Sequence, residues 1–162
     1  MIRYSIGNLS SFGVVAIISA ALLWSGLNLS AAPASNDACA VLTPADIAKA
    51  TGLKVGNGTA GKPIPGVLGR CTWTGDGDTK VIVTLGDAQH IGLTVAAAEQ
   101  TGGESVPGLG TKAVGIKGAA FTGGGYIINV LDAKGGFGVS ILGKEGTRLR
   151  AIALAKIVES RR

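Results

Sequence analysis

The sequence predicts an α+β domain: an antiparallel β-sheet with flanking helices, tied by one disulfide. Three observations carry this reading. The apolar pattern runs helix, two strands, helix, several strands, helix, switching between a 3.6-residue and a two-residue period. Stretches of hairpin size, rich in Gly and Asp, separate neighbouring strands, and such short turns join antiparallel partners. The only two cysteines, Cys39 and Cys71, both follow an export-type leader. An even cysteine count in an oxidising compartment reads as a disulfide.

The leader sets where fold reasoning begins. Arg3 precedes the apolar run Phe12–Trp24, and Ala32-Pro33-Ala34 supplies small residues at a cleavage site. These are the three parts of a secretory signal peptide. Residues 1–34 are therefore expected to be a cleaved signal peptide, and 35–162 a single exported α+β domain, periplasmic or secreted. If the run extends to Leu29 and is retained, it would act as an anchor, the one route to membrane contact.

The elements follow in order. Thr43-Pro44-Ala45-Asp46 opens a helix, with Thr43 as N-cap, Pro44 at N1 and Asp46 at N3, and Gly52 ends it. Residues 56–69, with their glycines and with Pro63 and Pro65, read as a loop. Arg70–Thr74 is a strand with Cys71 and Trp73 on one face. Gly75-Asp76-Gly77-Asp78 turns it into a return strand, Thr79–Leu85, with Val81, Val83 and Leu85 on one side. Asp87 caps a second helix running to Gln100, in spite of Gly92. A turn-rich connector over 101–110 leads to strands near 112–116, 119–122 joined to 126–131, and 136–142. The turns among them are Gly123-Gly124-Gly125 and Asp132–Gly136. The segment Gly143–Arg162 holds a last helix with Leu149, Ile152, Ala153, Lys156 and Ile157 expected along its packed face.

Composition excludes several functions. The 162 residues carry a net charge of +5, with 15% charged and 4% aromatic residues. Nucleic-acid binding calls for a dense basic face with stacking aromatics, and these basic residues are scattered. No G-x-S-x-G elbow frames a serine near His90, the single histidine, so a surface helix position is its plainer role. The Gly123–Gly125 and Gly135–Gly138 runs lack the Gly-Lys-Ser/Thr ending of a phosphate loop and read as hairpin turns. Asp76 and Asp78 could open a calcium loop, but Val, Ile and Leu fill the ligand positions that follow. No catalytic residue, metal or cofactor is expected. Trp73, Tyr126 and Phe137 are read chiefly as packing residues. Gly66, Val67 and Leu68, together with Trp73, are the candidate binding residues.

The opening Asp37-Ala38-Cys39-Ala40-Val41-Leu42-Thr43-Pro44-Ala45-Asp46 resembles that of a family of small actinobacterial cell-envelope lipoproteins and secreted proteins of unknown function. That family begins D-x-C-x-L-L-T-x-x-[DE] and places a second cysteine in a C-x-[WY] strand, matched by Cys71-Thr72-Trp73. Gly108-Leu109-Gly110-Thr111-Lys112-Ala113 matches its middle element, and residues 147–159 its alanine-rich helix. The resemblance implies a disulfide-tied antiparallel sheet and supplies no catalytic residues. Cys39 lacks the Leu-x-[Ala/Gly] run of a lipidation site and matches the family's disulfide position. The expected role is a non-enzymatic envelope protein that binds an envelope protein or a small ligand. The alternative is a secreted enzyme inhibitor that presents the 56–69 loop to an active-site cleft.

Overall fold

The computed structural model describes residues 37–118 and 123–162. The expected signal segment and the strand residues expected at 119–122 lie outside them. The described elements are α1 (Pro44–Thr51), β1 (Thr59–Ala60), β2 (Val67–Thr74), β3 (Lys80–Gly86), α2 (Ala88–Gln100), β4 (Glu104–Ser105), β5 (Lys112–Lys117), β6 (Gly125–Asp132), β7 (Gly135–Leu142) and α3 (Arg148–Arg161). The described strands form one seven-stranded sheet in the order β1-β2-β3-β7-β6-β5-β4. Every pairing is antiparallel. The expected α+β class and disulfide are both present.

Local chemistry explains the boundaries. Thr43 Oγ1 accepts from Asp46 N at 3.2 Å, while the Asp46 carboxylate accepts from Thr43 N at 2.9 Å, completing a capping box at α1. Gly52, at φ 74°, donates to Ala48 O and ends the helix. In β3, buried Val81, Val83 and Leu85 alternate with more exposed neighbours. Two regions read as irregular hold short edge strands. The 56–69 stretch contains β1 and the first residues of β2, and the 101–110 connector contains β4.

Helices α1 and α3 cover one face of the sheet, where Trp73, Val81, Val83, Ile128, Val130, Phe137, Val139 and Ile141 form the main core. Helix α2 lies on the other face, packing Ile91, Val95 and Ala98 on Val114, Ile116 and Leu131. The packed face of α3 differs from expectation. Leu149 is 76% exposed, and the buried stripe is Ala151, Leu154, Ala155 and Val158. This stripe has the i, i+3, i+4, i+7 spacing. Its two alanines let the helix axis approach the sheet more closely than a Leu–Ile row would allow.

The Cys39–Cys71 disulfide ties the segment before α1 to β2, with a Cα–Cα distance of 5.0 Å. A Cβ at Gly58 would fall 2.6 Å from Cys71 Sγ and 2.8 Å from Trp73 Nε1, so only glycine lets the chain cross there. From the end of α3, Arg161 grips Asp46 with two bonds of 2.6 and 2.8 Å and also donates to Val41 O. The guanidinium and the Thr43 bonds hold the Asp46 carboxyl well below the usual carboxylate range.

Candidate functional site

Helix α2 crosses only one end of its face of the sheet, and glycines determine which end. A Cβ at Gly86 would lie 2.8 Å from Ile91 Cγ1, and one at Gly136 would lie 2.6 Å from Ile91 Cγ2. Ile91 therefore seats directly on bare backbone. The strand register places a second row beyond the helix: Thr72, Ile82, Ser140 and Ile127 stand side by side across β2, β3, β7 and β6. All four are half-buried, in contrast to their buried sequence neighbours on the core face. Arg70 and Thr84 flank the row on one side, Thr74 and Lys80 on the other. Arg70 and Lys80 are exposed and make no ion pair among the described residues.

The same face ends in an apolar corner. Asp87 N donates to Gly66 O at 3.1 Å, and a Cβ at Gly66 would lie 2.9 Å from His90 Cβ. The start of β2 therefore rests on the start of α2. Ile64 and Leu68 flank that contact, each 47% exposed, and Leu93, 66% exposed, lies one helical turn beyond His90. Apolar side chains gathered on a surface mark an interaction site more often than scattered ones do.

The candidate binding residues do not all meet there. Gly66, Val67 and Leu68 lie at this corner, Val67 and Leu68 on strand rather than loop. Trp73 is instead 1% exposed on the opposite face of β2, paired with Val81 in the core. A period-two strand sends residues 72 and 73 to opposite faces, so Thr72 rather than Trp73 belongs to the open surface. Cys39 and Cys71 are bonded to each other. His90 is half-buried against Gly66, and its backbone N donates to the Asp87 carboxylate at 2.7 Å. Asp76 and Asp78 sit in the β2–β3 turn, and no group of three His, Cys, Asp or Glu side chains among the described residues is placed to hold a metal.

A polar cluster that sequence reasoning did not find lies on the core side. Tyr126, 3% exposed, donates its hydroxyl to Glu104 Oε1 at 2.6 Å, and Arg148 Nε stands 3.2 Å from the same oxygen. Burial and the Glu104 bond push the tyrosine pKa up to about 12, so its hydroxyl stays a donor at neutral pH. The Tyr126 bond, and then the Arg148 charge, hold Glu104 below its usual range. The cluster borders a cleft of about 390 Å³. A broader cleft of about 530 Å³ near the β2–β3 turn has Glu145 and Arg150 on its wall, and these pair with each other at 2.5 Å.

No family model, curated protein or solved structure matches this chain. The disulfide fits an oxidising compartment. No helix among the described residues is long and apolar enough to cross a membrane.

Proposed function

We propose that this chain is an exported, non-enzymatic binding module of the cell envelope, and that it docks a protein partner bearing an acidic surface onto the open rows of its sheet. One observation carries the reading: Arg70 and Lys80 flank the half-buried Thr72–Ile127 row and make no ion pair among the described residues. Complementary charge around an apolar centre is how protein interfaces gain specificity and on-rate. The disulfide and the family-like D-x-C opening support the compartment.

A photo-reactive residue at position 82, in the native envelope, should cross-link one protein. Arg70→Glu with Lys80→Glu should abolish that product, and a probe on α3 at position 156 should not give it. Equal products from both positions would sink the proposal.

A specific observation also favours the inhibitor reading. Lys62-Pro63-Ile64-Pro65 is an exposed tip braced by Gly61 N to Arg70 O at 2.8 Å and Val67 N to Ile64 O at 3.0 Å. Its prolines fix φ and so lower the ordering cost of binding. An envelope hydrolase or β-lactamase inhibited by the wild type but not by Ile64→Asp would establish this role.

A further inference from the structure

We propose that the cleft beside Glu104, Tyr126 and Arg148 binds an oxyanion, the phosphate or carboxylate group of a solute or a lipid headgroup, on the free edge of the Arg148 guanidinium. The argument is independent of the docking surface, because it uses the other face of the sheet. Glu104 Oε1 already serves two partners, the Tyr126 hydroxyl at 2.6 Å and Arg148 Nε at 3.2 Å. Nε is buried beside that oxygen without completing a hydrogen bond, so the guanidinium keeps donor capacity unused. A guanidinium drawn to Glu104 by this ion pair presents its terminal nitrogens as a planar fork, the shape that matches a carboxylate or phosphate with two parallel bonds.

The surroundings suit an anion. Lys117 lines the same cleft and makes no ion pair among the described residues. Arg148 and Lys117 outweigh the single charge of Glu104, and the first turn of the 14-residue helix α3 adds the positive end of its dipole. The floor is backbone. A Cβ at Gly146 would lie 2.6 Å from Gly125 Cα, and one at Gly118 would lie 2.6 Å from Gly124 O, so only glycine lets the backbone close at these points. Glu104 and Tyr126 are positioning residues. They orient the guanidinium, and Tyr126, kept protonated, donates to Glu104 rather than competing for the ligand.

The test is an NMR titration of the oxidised protein with inorganic phosphate and with succinate, following the amides of Gly125 and Gly146. Vesicles containing phosphatidylglycerol are compared with vesicles of phosphatidylcholine alone. Saturable shifts with either solute, or selective binding to the anionic vesicles, are expected, and the responding arm identifies the source. Arg148→Gln should weaken binding at least tenfold and Lys117→Gln severalfold, with Lys49→Gln, at an exposed lysine of α1, unchanged. Arg148→Lys keeps the charge but loses the fork, so it should also bind less well while its spectrum remains folded. No saturable response to any probe, or a response indifferent to Arg148, would overturn the proposal.

Discussion

The two faces of the sheet are made by the same strands and could hardly differ more. On the face toward α1 and α3, Cys71, Trp73, Val83, Ile128, Phe137, Val139 and Ile141 are each no more than 1% exposed. On the face toward α2, their immediate neighbours Thr72, Ile82, Ile127 and Ser140 are half-buried. Strict alternation sends Cys71, Trp73, Val83 and Val139 to one side and Thr72, Ile82, Ser140 and Ile127 to the other. A single helix covers part of the second side, seating Ile91 on Gly86 and Gly136 and Val95 and Ala98 toward Val114, Ile116 and Leu131. One face therefore holds the fold together, while the other has surface available for binding.

That contrast can be broken by substitution. Trp73→Ala should cost about 3–5 kcal/mol, read from the urea midpoint, against under about 1 kcal/mol for Thr72→Ala one residue away. Similar shifts for the two would mean that the second face is as much a core as the first. Cys71→Ser, also on the covered face, should lower stability by about 2–5 kcal/mol, and an unchanged midpoint would deny the disulfide any structural role. Asp46→Asn removes the α1–α3 clamp and should cost about 1–2 kcal/mol at neutral pH. Because the folded state depresses the Asp46 pKa, its contribution is complete above the ordinary value of 3.8 and fades as pH falls further. The gap between wild type and Asp46→Asn should then narrow in acid, and a constant gap would separate the clamp from the carboxylate charge. The smallest effect belongs to the α2 side. Gly92 has nothing within 4 Å of its would-be Cβ, so Gly92→Ala should raise stability by about 0.5–1 kcal/mol through helix propensity alone.

Features written in neighbouring residues were legible in the sequence. The Thr43 cap, the Asp87 cap and the Val81–Leu85 alternation each lie within a few positions, and the structure has them where the pattern put them. The two-residue strands β1 and β4 are too short to show a period. The face of α3 was misread because alanines carry little hydrophobic signal, yet Ala151 and Ala155 are fully buried. The Glu104–Tyr126–Arg148 cluster draws on a connector, a strand and a helix start, which only the folded topology brings together. The open row likewise depends on register across four strands, and single-strand alternation shows only its individual residues.

The order in which these strands can form follows from the centre of the sheet. β2 and β3 close on each other through a short turn, and so do β6 and β7, whereas β3 meets β7 with roughly fifty to sixty residues between partners. Local hairpins form within microseconds, while pairings of such separation are slow. A chain emerging N-terminus first thus completes its β2–β3 hairpin early, with the inner edge of β3 unpaired until β7 is delivered. During synthesis that edge is the segment most in need of protection from neighbouring chains.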